Sequence, residues 1–383
     1  MDNIAGTKSS LTWAVHISVA VLVLLWLFPT VGLFVSSFRT ADQIATSGWW
    51  DSLFPAVQNE VLRTDGADTK VADGDLFVVK GNAFGNPDSG KKISVWGISS
   101  RAISDFKAGD TATLNDGSTI TLQANGDYEW RGTADQLTGR GQRMFVTDKA
   151  PPEFTFRNYQ NILFAGSNTD SMAKAFFNTL TVTIPATIIP IVIAAFAAYA
   201  LAWMDFPGRA LLIACVVGLL VVPLQLALIP LLKLHLAVGI GKGYLGVWLA
   251  HTGFGLPLAV YLLRNYMVGL PRDIIENAKV DGATDFQIFT KIILPLSFPA
   301  LASFAIFQFL WTWNDLLVAK VFLIDATGET TVMTNQIVEL LGTRGGNWEI
   351  LATAAFVSIA VPLVVFFSMQ RFLVRGLLAG SVK

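Results

Sequence analysis

The sequence predicts an all-α polytopic membrane protein of six transmembrane helices, interrupted by one inserted β domain. Three observations predict it. Hydrophobic residues make up 53% of the 383 residues and charged residues only 14%, with a mean hydropathy of +0.53, whereas a soluble domain carries about a quarter charged residues. Six apolar stretches, 11–35, 177–203, 210–232, 244–263, 298–322 and 350–372, reach the roughly 20 residues that a bilayer crossing needs. Between them, residues 41–173 change character completely, to polar runs punctuated by Asp73-Gly74, Asp116-Gly117 and Asn125-Gly126.

The first span, within residues 1–40, runs through Pro29 into Ser36-Ser37-Phe38-Arg39 without a small-residue cleavage site. This argues for a retained signal anchor rather than a cleaved signal. The polar segment then holds a small β domain at about 58–150. Residues 111–114, 119–122 and 127–130 read as a meander of hairpins, because short β-branched runs are separated by Asx-Gly turns. Residues 75–80 and 91–98 are two further strand candidates, and Pro151-Pro152 marks the exit. Residues 174–383 form a core of five further spans. The fourth span contains Gly253, Gly255 and Pro257. They read as a kink repaired by neighbouring helices, or as a bend lining a substrate path.

Lysine and arginine set the orientation, since cytoplasmic loops are enriched in both. Lys8, Arg209, Arg264, Arg272, Lys279, Lys291, Arg371, Arg375 and Lys383 fall on one side if six spans alternate, against Lys233, Lys242, Lys320 and Arg344 on the other. Both termini are therefore expected in the cytoplasm of a bacterium, with the chain multi-pass in the inner membrane and the β domain outside. The formal net charge of −1 gives no reason to expect nucleic acid as a partner. The single cysteine, Cys215, excludes an internal disulfide framework.

Residues 264–297 form a polar island between apolar spans. Asp273, with Glu276 three residues on, reads as the cap of a first short helix, and Gly282 as its left-handed terminator. Thr284 with Gln287 reads as a capping box for a second helix, whose apolar face is Phe286, Phe289, Ile292 and Ile293. By local physics alone this could be an amphipathic hairpin lying at the membrane interface.

The whole pattern is Glu276-x-Ala278-x3-Gly282-x9-Ile292-x-Leu294-Pro295. It resembles the EAA motif, the coupling loop of permease subunits in binding-protein-dependent ABC importers of type I fold. Asn277 departs from the family's usual alanine. Phe154-Thr-Phe-Arg-Asn-Tyr159, Asn178-Thr-Leu-Thr, Ala197-Ala-Tyr-Ala-Leu201, Phe206-Pro-Gly-Arg209, Pro223-Leu-Gln-Leu and Trp311-Thr-Trp-Asn-Asp315 resemble the maltose-type sugar permeases. An insertion after the first span resembles the α-glucoside branch. The resemblance implies that Glu276, Asn277, Ala278, Asp281, Gly282, Ala283, Ile292, Leu294 and Pro295 couple the chain to an ATPase, with Ala278 and Gly282 keeping the surface small. It also implies that the tail, with Arg371, Arg375, Gly380 and Lys383, contacts that ATPase. The partners implied are a second homologous permease, two copies of an ABC ATPase, an extracytoplasmic sugar-binding protein and the lipid bilayer.

No G-x-x-x-x-G-K-[ST] phosphate loop is present, since Gly239-Ile-Gly-Lys-Gly243 lacks the hydroxyl residue. The chain is therefore expected to bind no cofactor, with ATP and Mg held by the partner ATPase, and to be no enzyme itself. His16, His235 and His251 lack metal-ligand spacing, so no metal site is expected. Polar side chains inside spans are costly and hence candidates for function. Gln225, Gln308, Trp311, Trp313, Asn314 and Asp315 are the candidates for a sugar path; the alternative for them is helix packing. The expected function is import of a di- or oligosaccharide, an α-glucoside such as maltose, sucrose or trehalose, by alternating access. The alternatives are an ABC permease for another solute or a stand-alone secondary transporter. The latter would need ionisable groups near mid-membrane, and the span centres hold almost none.

Overall fold

The computed structural model describes residues 10–87, 89–164, 171–324, 327–344 and 346–379. The chain divides into two compact units, 1–156 and 157–383. Unit 1 begins with α1, Ser10–Ser36, followed by α2, Ala41–Thr46. Nine strands follow among the described residues: β1 Ala56–Arg63, β2 Val71–Asp73, β3 Leu76–Asn82, β4 Lys92–Gly97, β5 Phe106–Lys107, β6 Thr111–Thr113, β7 Thr119–Leu122, β8 Asp127–Gly132 and β9 Arg143–Ala150.

The strands form two antiparallel sheets, ordered β1-β9-β4-β5 and β2-β3-β8-β7-β6. Alternation along each strand sends one face inward. In β8, Tyr128 and Trp130 are buried while Asp127 and Arg131 are exposed. Both sheets contribute to one core, with Trp96, Met144 and Val146 from the first and Val79, Ile120, Leu122 and Trp130 from the second. The β7–β8 turn needs Gly126, whose φ of +89° lies where side-chain-bearing residues are strained. Strands β1 and β9 join residues 56 and 150. This closing pair brackets the insertion and was absent from the strands read off the sequence, because each partner lies some ninety residues from the other.

Unit 2 contains α3 Arg157–Leu163, α4 Met172–Trp203, α5 Arg209–Leu219, α6 Leu224–Ala237, α7 Tyr244–Val268, α8 Arg272–Val280, α9 Asp285–Ile288, α10 Leu294–Leu296, α11 Phe298–Trp313, α12 Leu317–Phe322, α13 Met333–Arg344 and α14 Trp348–Ala379. Among the described residues, α1, α4, α7 and α14 are each long and apolar enough to cross a membrane. The total reaches six only if two bent pairs each count as one span.

Two expected spans differ from their sequence outline. The stretch 210–232 is not one helix, since α5 and α6 meet at 111°. Pro223 sits at the break, where its ring cannot continue a helix. The stretch 298–322 stops at Trp313 and restarts as α12, because Asp315 accepts from the backbone N–H groups of Val318 (3.3 Å) and Ala319 (3.0 Å). By contrast, α7 runs unbroken through Gly253, Gly255 and Pro257.

Small residues hold unit 2 together. Ala194, Ala195 and Ala198 of α4 are buried in one cluster with Ala259 and Leu263 of α7. Alanine lets helix backbones approach closely, which suits association within lipid, where apolar burial alone supplies little drive.

Candidate functional site

The segment after α7 is built from two caps. Helix α8 starts at Arg272 with Pro271 as its N-cap residue and no side-chain cap bond, so the expected capping role of Asp273 is not realised. Proline is pre-set for a helix start, and Asp273 sits in the first turn, where a carboxylate complements the helix dipole. Glu276 does not reach back to the backbone; it accepts from Arg272 Nε at 2.8 Å. Helix α8 ends in a Schellman motif. The Gly282 N–H donates to the Lys279 carbonyl and the Ala283 N–H to the Ala278 carbonyl, each at 3.0 Å. Gly282 takes φ +83° to allow this. Thr284 and Gln287 then form the capping box of α9, with Gln287 N donating to Thr284 Oγ1 and Thr284 N to Gln287 Oε1. A π-helical turn, Phe289–Ile293, carries the chain into α10.

One side of this segment is anchored. Ile275, Ile288, Phe289 and Ile293 are buried with Tyr199, Leu263 and Met267, and Tyr199 donates its hydroxyl to Asp285 Oδ1 at 3.3 Å. Ala278, Ala283, Ile292 and Leu294 pack partly buried on the same cluster. The small side chain of Ala278 therefore serves close packing within the chain itself. The other side is open, with Glu276, Asn277, Asp281, Gly282 and Pro295 all exposed. Val280 is 86% and Phe286 65% exposed. Phe286 was expected on the buried face, but the π turn changes the periodicity and Ile288 takes that place. The open side thus offers two apolar side chains among charges of both signs, with Arg272 paired to Glu276 and Lys279 Nζ 3.6 Å from Asp285 Oδ1.

The six polar or aromatic candidates for a path separate into two groups. Pro190 has no N–H for the Ala186 carbonyl one turn earlier, and Gln308 Nε2 donates to that carbonyl at 3.1 Å. Pro362 likewise frees the Ser358 carbonyl, which accepts from Trp313 Nε1 at 3.0 Å. Pro185 frees the Thr181 carbonyl, and Trp248 Nε1 fills it at 2.9 Å. Trp248 was not among the residues singled out from the sequence; a proline in a neighbouring span was the signal that could have found it. Gln308 and Trp313 are both buried and thus tie helices together instead of facing a path. Gly255 makes room, since a Cβ there would lie 2.6 Å from Gln308 Oε1. Asp315 caps α12 and lies 3.7 Å from His251 Nε2.

The other three are exposed. Asn314 donates to its own helix at Leu310, and Gln225 sits in the first turn of α6. Trp311 lines an apolar cleft of about 490 Å³ with Leu219, Leu224, Phe254 and Pro257. In the tail, α14 continues to Ala379, and Arg371 stacks on the Phe372 ring at 4.6 Å. The Arg375 side chain, Gly380 and Lys383 lie outside what is described. Among the described residues, no three His, Cys, Asp or Glu side chains converge as a metal site would require.

Residues 175–378 match the model of the family described as "Binding-protein-dependent transport system inner membrane component". The chain belongs to this family. The permease is 58% identical over 381 residues to the alpha-glucoside transport system permease protein AglG of Rhizobium meliloti (strain 1021), covering 98% of both chains. It is 57% identical over 231 residues to the osmoprotective compounds uptake permease protein GgtD of Synechocystis sp. (strain ATCC 27184 / PCC 6803 / Kazusa), covering 60% of this permease and 76% of that protein. It is 35% identical over 238 residues to the trehalose transport system permease protein SugB of Mycobacterium tuberculosis (strain CDC 1551 / Oshkosh), covering 61% and 84%. The permease is thus an inner-membrane component of an ABC importer.

Proposed function

We propose that the permease imports an α-glucoside, a di- or oligosaccharide such as maltose, sucrose or trehalose, as one of two paired permeases. The observation that carries the reading is likeness along nearly the whole chain, β strands included, to a protein named for alpha-glucoside transport. Two copies of an ATPase dock from the cytoplasm, where both termini lie, and a sugar-binding protein delivers substrate to the opposite face. Six spans result if α5 with α6 forms one bent crossing and α11, entered through α10 from the cytoplasmic α8–α9 turn, forms another. ATP and Mg belong to the ATPase; this chain supplies the moving wall.

The α8–Gly282–α9 turn is the mechanical input. Its buried side, with Ile275, Ile288 and Phe289, grips α4 and α7, so a force on the exposed side moves those helices as a body. Val280 and Phe286 would enter an apolar recess of the ATPase, while Glu276 and Asp281 would meet basic groups at its rim. The two helices are short and capped at the glycine, so the turn transmits displacement without unravelling. Closure of the ATPase dimer on ATP then selects the outward-open state, and hydrolysis releases it, because a ligand shifts such an equilibrium only by its differential affinity.

The test is vesicle uptake of labelled maltose, sucrose and trehalose by the assembled transporter. Wild-type complex takes up at least one of them with ATP. Gly282→Pro, which forbids φ +83°, leaves the chain in the membrane and abolishes coupled uptake. Wild-type transport by that variant would refute the role of the turn, and failure to take up any α-glucoside would refute the substrate class.

A further inference from the structure

Unit 1 holds an aromatic feature that coupling and transport leave unexplained. Beyond α1 the chain turns sharply, and the buried Arg39 ties the turn. Its guanidinium donates to the carbonyls of Gln43 (2.6 Å) and Ser47 (3.0 Å) and to Ser47 Oγ (2.5 Å). The chain then doubles back. The 3-10 turn Trp49–Asp51 packs beside α1, with the Trp49 ring 4.6 Å and the Trp50 ring 6.3 Å from that of Phe28. Gly32 admits the indole, since a Cβ there would lie 2.7 Å from Trp49 Nε1. Phe28 precedes the end of α1 by two turns, about 12 Å along a helix. Trp49 and Trp50 therefore lie alongside α1 and not beyond it.

The outer surface of this turn is apolar. Trp50 is 62%, Leu53 73% and Phe54 66% exposed. The patch adjoins the exposed surface of α1 at Phe28, which Leu24 continues one turn earlier on the same face. Depth fits as well. Trp13 is exposed near the start of α1, and Gly32, under the Trp49 indole, comes nineteen residues later. That separation is about 29 Å on a helix, against roughly 30 Å for a hydrocarbon core. Indoles favour both membrane interfaces, where the ring is apolar and the N–H meets the headgroups.

We propose that residues 49–54 form a re-entrant interfacial anchor, seated in the lipid at the boundary of headgroup and hydrocarbon. The anchor rests on α1 being a membrane span. It sets the depth of that span and of the chain's entry into the β domain. Lipid is the occupant because the patch shares a face and a level with the apolar surface of α1. On the return path, the Thr155 N–H donates to the Phe38 carbonyl at 2.7 Å and Phe156 packs on Phe38. That contact lies beyond the end of the helix, so Phe156 occupies a shallower level.

Nitroxide accessibility tests this on the full chain in phosphatidylcholine–phosphatidylglycerol vesicles. Cys215, the only cysteine, is replaced by serine, and single cysteines are labelled in Leu53→Cys, Trp50→Cys, Val19→Cys and Asp75→Cys chains. At positions 53 and 50, collision with oxygen should exceed collision with a water-soluble nickel chelate several-fold, and at position 75 the order should reverse. Chelate-dominated relaxation at 53 and 50, or exclusion of both reagents by a protein partner, would overturn the anchor while Val19 still reports lipid. If Val19 also reports water, the span itself is wrong, and the anchor falls with it.

Discussion

The β domain and the helical unit distribute their apolar residues differently. In the β domain the largest apolar side chains are inside: Trp96, Ile120 and Leu122 have no exposed surface, and the outward positions carry Lys80, Glu129 and Arg131, linked as ion pairs. In the helical unit alanines such as Ala194, Ala198 and Ala259 share the inside with Leu263, Phe289 and Phe304, and many large residues, Phe177, Ile188, Val221 and Leu226 among them, face out. The difference teaches what surrounds each region. Water drives apolar bulk inward; lipid does not, so helices there gain most from close backbone approach. The polar groups differ as well. The β domain satisfies its backbone through sheet ladders, whereas the helical unit carries prolines whose orphaned carbonyls are filled by side chains of neighbouring helices.

The contrast can be broken most directly at Trp96. Trp96→Ala should cost about 3–5 kcal/mol and expose the β domain to limited proteolysis, whereas Leu226→Ala, on the exposed surface of α6, should stay within about 0.5 kcal/mol. Equal losses in thermal unfolding of the purified chain would remove the distinction. Next in size is the proline staple. Gln308→Leu strands the Ala186 carbonyl and should cost about 1–3 kcal/mol. Adding Pro190→Ala restores a helix N–H to that carbonyl and should recover much of the loss. A double-mutant cycle with no coupling would show that Gln308 acts otherwise.

A smaller effect is expected from pH. Asp148 is fully buried in the β domain, and burial raises its pKa, reinforced by nearby Glu60 and opposed by the Gln58 hydrogen bond and Lys91. The native state then holds this proton more tightly than the unfolded chain, so stability is lost as pH rises from the ordinary carboxylate range through the elevated native value. Asp148→Asn should flatten that decline, and the gap in unfolding temperature between the two chains should widen with pH. A constant gap would mean that Asp148 titrates normally. The smallest effect belongs to Glu276→Gln. Its exposed pair with Arg272 should contribute only about 0.3–0.5 kcal/mol to stability, while ATP-driven uptake should fall far more. Uptake unchanged along with stability would leave Glu276 as a surface residue only.

The legibility of the site varied with the range of the interactions behind it. Thr284, Gln287 and Gly282 were readable because capping boxes and glycine terminators act within four or five residues. Asp273 misled because Pro271, two positions earlier, had already set the helix start. Phe286 misled because a π turn, invisible to a 3.6-residue count, moved burial to Ile288. Gln308 and Trp313 were noticed as polar or aromatic side chains in a span, but their partners are carbonyls 122 and 45 residues away. The closing strands β1 and β9 escaped notice for the same reason.

The sequence alone determined the class of the protein: apolar runs of membrane length, Asx-Gly turns in the insertion, and the spaced motif from Glu276 to Pro295. The first two are local or periodic properties, set by backbone sterics and by the solvent each segment can tolerate, whereas the motif was legible through its resemblance to the coupling loop of importer permeases. Only the tertiary structure decided which side of the α8–α9 turn is free. It also decided where the apparent spans break, and that three proline-freed carbonyls are each answered by another helix. Such pairings depend on which helices become neighbours, and that is a property of the packed chain and not of any stretch within it.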